Sequence, residues 1–274
     1  MIRTPEVVVE SVAARTGSGE PLSVLALGAA DDLFSRGGSA PRRDEIGAVV
    51  AATFSNPERF PPLSVRAAAH LGLGPVPALD LQMACSAYPY ALYVAGRLAS
   101  DTGKKVLVLD GDVQTPLVDK SDHATGSIFS DAATATVVSC DARGDGFSCF
   151  DFYSRYDEAL ACPAEGPIRM DGFKVFSFVA TEVSKWLKSF IGEAAASDVA
   201  AFLPHNANPY MVRQLARSLG MSDRLVTADD ALLNTGSSSI PLALATRRVP
   251  SGRLLLAAFG AGFSASACTV SHKG

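Results

Sequence analysis

The chain reads as an α/β protein built in layers, and three observations carry that reading. Short apolar, β-branched runs alternate with helical patterns along most of its 274 residues. Several of those runs are apolar at nearly every position, as in strands of a sheet covered on both faces. The order of elements then recurs, so that residues 1–140 and 141–274 read as two related halves; the match is one of order, not of residue identity. Crossovers of this kind build sheets flanked by helices.

Residues 46–54 (IGAVVAATF) are a near-continuous apolar run and predict a buried strand. Pro61 and Pro62 introduce a short helix over 64–71. Residues 78–82 read as a brief strand and 85–98 as a helix with small residues on most sides. Residues 105–109 (KVLVL) and 133–138 follow as strands. In the second half, 199–203 is a short strand, 210–219 an amphipathic helix and 237–247 a helix rich in small residues. Residues 254–258 and 265–270 close the pattern as strands. Three stretches carry turn or loop chemistry: 17–22, the Asp-containing 111–127, and 154–170 with Pro163 and Pro167. A loop as long as the last suits a binding or lid segment, or one that is simply mobile.

Apolar residues make up 48% of the chain and charged residues 19%, which supplies a large core and excludes a disordered tail protein. The net charge is −4, with 24 Lys plus Arg against 28 Asp plus Glu. That balance, without a long basic run, argues against nucleic-acid binding and leaves only a small basic patch for an acidic partner. No apolar run reaches the ~18 residues needed to cross a bilayer. Residues 1–15 lack a basic start followed by an apolar stretch, so no secretory signal is expected. Cys85, Cys140, Cys149, Cys162 and Cys268 are odd in number and scattered, which fits neither a disulfide framework nor a zinc site. The expectation is a soluble, reduced, cytoplasmic protein with no metal.

Cys85 falls where the short strand LDLQM turns into a helix. Unpaired first-turn amides and the helix dipole would lower the pKa of a thiol there and make it a nucleophile; the alternative is a small buried apolar residue. His205 follows an apolar strand in Phe202-Leu203-Pro204-His205-Asn206-Ala207-Asn208, at the strand end where α/β sheets place reactive groups, or else caps the next helix. Asn234 lies in Leu233-Asn234-Thr235-Gly236-Ser237, as a turn or N-cap residue or as part of the site. Together, Cys, His and Asn at three helix entrances can meet in one cavity. A thiolate takes an acyl group from a thioester, and two neutral N–H donors hold an enolate oxygen. The same order of residues occurs in papain-like proteases, but Ala84-Cys85-Ser86-Ala87-Tyr88 lacks their Cys-Gly-Ser-Cys-Trp context.

These segments resemble β-ketoacyl-acyl carrier protein synthase III of the thiolase superfamily. Met83-Ala84-Cys85-Ser86-Ala87-Tyr88 is similar to that family's nucleophile motif, and Pro204-His205-Asn206-Ala207-Asn208 to its Pro-His-Gln-Ala-Asn. Residues 234–241 (NTGSSSIP) resemble Asn-Thr-Ser-Ala-Ala-Ser-Ile-Pro. Residues 258–263 (AFGAGF) resemble the C-terminal Gly-rich turn, and 129–133 (FSDAA) resemble Phe-Gly-Asp-Gly-Ala. The resemblance runs from about residue 22 to 270. It implies the five-layered αβαβα thiolase fold of two duplicated halves, and a homodimer. It makes Cys85 the acylated nucleophile, and His205 and Asn234 the pair that promotes decarboxylation of a malonyl thioester. The backbone N–H groups of Cys85 and Ala261 become the oxyanion hole; Ala261 stands where Gly is usual, which requires a negative φ. Phe60 matches the aromatic that reaches into the partner's acyl pocket, and Phe176 and Phe259 match pocket aromatics.

The departures from the family pattern concern the donor. The N-terminal segment with a Trp and an Arg that hold the adenine of coenzyme A is missing, and the only Trp, Trp186, is elsewhere. Asp171-Gly172-Phe173 replaces the usual Gly-Asn, and Tyr210 stands where an Arg used in carrier docking is common. Arg213 and Arg217, one turn apart, are the candidate replacements. The resulting expectation is a condensing enzyme of fatty acid or polyketide biosynthesis, in a specialised or secondary-metabolic pathway. It would have no cofactor of its own, its substrates bringing phosphopantetheine on acyl carrier protein or coenzyme A. The rivals are an acyltransferase on the same fold that passes the acyl group to an alcohol or amine, and a non-catalytic subunit of a heterodimeric ketosynthase.

Overall fold

Each strand run read from the sequence is a strand in the computed structural model, which describes residues 1–36 and 40–274. In chain order the first half contains β1 (Ile2–Gly17), α1 (Leu22–Ser35), β2 (Ile46–Ala52), α2 (Leu63–His70), β3 (Ala78–Leu81), α3 (Ala87–Thr102), β4 (Lys105–Asp112) and β5 (Asp131–Asp141). Then come β6 (Phe147–Asp157), the two-residue pair β7 (Leu160–Ala161) and β8 (Arg169–Met170), α4 (Gly172–Phe178) and α5 (Ser184–Glu193). The chain ends with β9 (Ala201–Pro204), α6 (Pro209–Ser218), α7 (Ser239–Thr246), β10 (Gly252–Gly260) and β11 (Gly262–His272).

Several elements go beyond the sequence reading. β1 carries Pro5 and charged residues and is only partly buried, so it lacks a continuous apolar signature. The predicted loop over 154–170 begins as the outer end of β6, whose last residues are largely exposed. α4 and α5 run on through a π-helical turn, Val179–Val183. The helix predicted from residue 85 opens with a single 3-10 turn, Ala84–Ser86, and only then becomes α3.

The strand order is β3-β2-β4-β5-β1-β6-β11-β10-β9. β2 is parallel to β3 and β4, while β5 is antiparallel to both β4 and β1. The second half repeats this: β10 is parallel to β9, and β11 is antiparallel to β10 and β6. The counterpart of β3 shrinks to one parallel bridge, Phe202 to Leu225. β1 is long because it serves both half-sheets, pairing Ile2–Pro5 with β6 and most of its remaining length with β5.

Alternation along the strands sorts side chains into layers. Val49 and Ala51 of β2, with Leu107 and Leu109 of β4, pack under α1 and α2. Ala48, Val50 and Ala52, with Val106 and Val108, face α3 and α7. Leu254, Leu256 and Ala258 of β10 face the same two helices from the other side, while Leu255, Ala257 and Phe259 pack on the α4–α5 layer and α6. The result is the αβαβα stack, and it explains why those strands are apolar at consecutive positions. α3 is squeezed between sheets, hence its small residues: a Cβ on Gly96 would lie 2.5 Å from Val7 Cγ2. Among the described residues no helix is long and apolar enough to cross a membrane.

Candidate active site

Cys85 is the middle residue of the 3-10 turn that leads into α3, and it is 6% exposed. The residue before it, Ala84, adopts φ +45°, a left-handed conformation that costs an alanine energy and persists only where packing imposes it. Gly260, the last residue of β10, closes the other side: a Cβ there would sit 2.8 Å from Cys85 Cβ. The thiol is not poised as the helix-terminus argument predicts. Burial pushes it up to about 12, the negative charge of Asp112 and then of Asp110 adds to the shift, and the local backbone hydrogen bond opposes them without prevailing. Cys85 is therefore a neutral thiol in the free protein.

His205 follows β9 and is 1% exposed. It does not cap α6; Asn208 does, its side chain accepting the Tyr210 and Met211 amides. Ser239 Oγ lies 2.8 Å from His205 Nδ1 and accepts the Asn206 N–H at 3.2 Å. Phe259 meets the imidazole edge-on, with centroids 5.4 Å apart. Burial lowers the His205 pKa to about 4, partly opposed by a hydrogen bond to the Gly236 backbone, so the ring is neutral at physiological pH. Asn234 is a turn residue that also lines the site. Its Oδ1 accepts the Gly236 N–H at 2.9 Å, which leaves the two Nδ2 hydrogens for other partners. Leu233 before it has φ +51°, so a strained residue precedes Asn234 as one precedes Cys85.

These three side chains line one cavity of about 370 Å³. Its other walls include Ile128, Phe129, Met170, Val175, Phe178 and Met211, and no Asp, Glu, Lys or Arg lines it. Phe176 and Phe259 are in the wall as well. Phe60 is not: it is 83% exposed beyond the cavity. Ala261 occupies the tip of the β10–β11 hairpin next to the lining residue Gly260, with the negative φ its alanine requires. Arg213 and Arg217 are exposed on α6, whose Tyr210 and Met211 line the cavity; Arg213 is ion-paired with Asp230 at 3.6 Å. Phe173, at 80% exposure, points away from the lining that its neighbour Gly172 joins. Among the described residues no three His, Cys, Asp or Glu side chains cluster as a metal site requires.

The 3-oxoacyl-[acyl-carrier-protein] synthase III family model matches residues 79–156, and its C-terminal model matches residues 193–272. A β-ketoacyl-[acyl-carrier-protein] synthase III of Rhizorhabdus wittichii is 30% identical over 93% of this chain and 86% of its own. The chain belongs to the synthase III family. Among solved structures, a 3-oxoacyl-(acyl-carrier protein) synthase from Burkholderia xenovorans LB400 superposes with TM-score 0.91 at 22% identity, covering 99% of this chain and 95% of that one. The priming β-ketosynthase of the R1128 polyketide pathway does so with TM-score 0.87 at 25% identity, covering 99% and 98%. The family's five-layered fold is the one described above.

Set beside the family motifs, the structure adds polar residues that the sequence reading passed over. β4 runs three residues past the predicted Leu109, and Asp110 and Asp112 both point into the central layer. Asp110 is 1% exposed, and among the described residues neither carboxyl oxygen has a partner in good hydrogen-bond geometry, the Ser237 hydroxyl being the neighbour that most favours its ionised form. Burial raises its pKa well above the usual range; the nearby Ser237 hydroxyl opposes that rise and the charge of Asp112 adds to it. Two carboxylates ending an otherwise apolar strand (KVLVLDGD) were the signal, since α/β sheets bind at their strand ends. The buried thiol makes a prediction. Alkylation of Cys85 by iodoacetamide in the free protein should be slow at pH 7 and keep rising beyond pH 9. Peptide mass spectrometry would separate it from exposed Cys162, and a plateau below pH 8 would contradict the environment described.

Proposed function

We infer that the protein is an acyl-transferring condensing enzyme of the synthase III type, with Cys85 as nucleophile. Cys85 Sγ attacks the carbonyl carbon of an acyl thioester, the bond to the donor sulfur breaks, and the donor thiol leaves with the cysteine's proton. A malonyl thioester then loses CO₂. The electron pair of the broken C–C bond becomes an enolate whose oxygen is held by the His205 ring N–H and Asn234 Nδ2. The enolate carbon attacks the acyl carbonyl carbon on Cys85, the C–S bond breaks to release a β-ketoacyl thioester, and the departing thiolate takes a proton from water to restore the thiol. Backbone N–H groups of Cys85 and Ala261 serve the acyl-transfer steps. The observation that carries this reading is the convergence of a thiol, a neutral imidazole and a free carboxamide NH₂ on one uncharged cavity. Two neutral donors suit an enolate, and a wall without charges suits a pantetheine arm. No cofactor is required beyond phosphopantetheine brought by the substrate, and a reduced, cytoplasmic setting fits five free cysteines.

Cys85→Ser should abolish the acyl adduct seen by intact-protein mass spectrometry, because a buried serine without a base is a far weaker nucleophile. His205→Ala or Asn234→Ala should keep the adduct and lose about 10²–10³ in condensation rate. An undiminished adduct on Cys85→Ser would refute the nucleophile. Acyl transfer to an alcohol or amine without CO₂ release would favour the acyltransferase reading.

Acyl carrier protein is the proposed donor, through Arg213 and Arg217 beside the cavity wall. Exposed-charge docking weakens as salt shortens the Debye length below ~10 Å, while pocket binding of pantetheine does not. Raising salt should lower kcat/KM for the acyl-carrier donor more than for the matched acyl-CoA, and Arg213→Glu with Arg217→Glu should do the same. Equal or better use of acyl-CoA, unaffected by both, would return coenzyme A as the donor.

A homodimer is supported by β3, a sheet edge with a half-exposed Ala-Leu-Asp-Leu sequence, and by the exposed Phe60 ring. An unpaired edge is a ready template for a second copy. Sedimentation equilibrium should give a dimer, and a monomer at micromolar concentration would exclude it.

A further inference from the structure

The turn that carries Asn234 is held from the opposite half of the molecule. Asp112 Oδ2 accepts the Ser237 hydroxyl at 2.7 Å and the Ser237 N–H at 3.3 Å. Its Oδ1 accepts Thr53 Oγ1 at 2.9 Å and the Phe54 N–H at 3.0 Å. Gln114, two residues on, donates from Nε2 to the Asn234 carbonyl oxygen at 3.1 Å. The turn in turn supports both donors: Gly236 N–H fixes Asn234 Oδ1, and Ser239 Oγ meets His205 Nδ1. No slack exists at the contact, for a Cβ on Gly236 (φ +64°) would lie 2.8 Å from Asp112 Oδ2. A displacement at Ser237 therefore moves both groups that face the enolate.

We propose that Asp112 is a positioning residue for decarboxylation, setting through Ser237 the aim of Asn234 and His205. This rests on the condensing reading above. Asp112 is fully buried and forms no part of the cavity wall, so it acts only through other residues. The ionisable groups around Cys85 are Asp112 and Asp110 on β4 and neutral His205 after β9; burial raises the Asp112 pKa, its hydrogen bonds from Phe54, Ser237 and Thr53 work against that rise, and in its ionised form Asp112 opposes thiolate formation. A neutral isostere at 112 thus acts oppositely on the two half-reactions. It loosens the donors and eases ionisation of the thiol.

The test compares full-length wild type, Asp112→Asn, Ser237→Ala and the double variant. Three quantities are read: acyl-adduct formation on Cys85, CO₂ release from labelled malonyl thioester by pre-acylated protein, and the pH profile of Cys85 alkylation. Asp112→Asn should lower CO₂ release by up to about 10²-fold in kcat, as small misplacements of reacting groups do, with KM little changed. Acylation should not slow, and the alkylation profile should move to lower pH. Ser237→Ala should share the decarboxylation loss without moving that profile, because it removes no charge. The double variant should be little worse than the more severe single one, since both cut the same link. Equal losses in both half-reactions with a lower Tm, multiplicative losses in the double variant, or unchanged CO₂ release would overturn the proposal. A wild type that releases no CO₂ overturns the condensing reading as well, whereas an active wild type beside unaffected variants overturns this proposal alone.

Discussion

α3 and α7 fill the space between the two half-sheets, and their close packing constrains much else in the molecule. Small residues line α3 because a sheet presses on it from each side, as the 2.5 Å clearance at Gly96 illustrates. Each of these helices begins where strands of both halves end. The first turn of each is thereby carried to the middle of the molecule, away from solvent and against the other half's β10 or β4. Cys85 and Asn234 meet because two helix starts are packed against each other, not because the chain brings them close in sequence. Burying a large apolar side chain contributes roughly 1.5–3 kcal/mol. Central-layer residues such as Tyr88, Leu92 and Phe150, all fully buried, therefore supply the energy that holds strained turns at Ala84 and Leu233 in place.

Burial also decides the electrostatics. The cavity wall has no charged side chain, the thiol is pushed up and the imidazole down, and both are neutral at the same pH. An ion pair between them is therefore unfavourable before substrate arrives. In the proposed mechanism the oxygen charges that develop during acyl transfer and decarboxylation are met by fixed N–H dipoles, which need no reorganisation. A low-dielectric pocket strengthens those hydrogen bonds and penalises any charge without a donor.

Much of the fold was legible because strands such as β2 and β10 are buried on both faces and so are apolar at consecutive positions. β1 was not, since it bridges two half-sheets and mixes buried with exposed residues; β6 was hidden by its largely exposed outer end. Cys85, His205 and Asn234 were legible from local motifs, and the cavity brings them together. The supports behind them were not. Asp112, Gln114 and Ser239 act across 125, 120 and 34 residues of chain, and pairings at such separations leave no local pattern. The thiol's pKa was misjudged for a related reason: a helix start is visible in sequence, but the burial and the carboxylates that outweigh it are not.

The turn before α7 reproduces the turn before α3. Gly236 matches Ala84 in its left-handed φ, the single 3-10 turn Gly236–Ser238 matches Ala84–Ser86, and Ser237 occupies the place of Cys85. The strand ends facing them differ. Gly260 of β10 lies against Cys85, and Asp112 of β4 lies against Ser237. The molecule thus contains its own paired comparison of one backbone device under two fillings. In one copy a glycine lets the β10 backbone pack directly against Cys85. In the other a carboxylate takes that ground and turns the hydroxyl into a tether. The two turns differ in what the facing strand presents, so what each turn can do is a property of that strand as much as of the residue the turn carries.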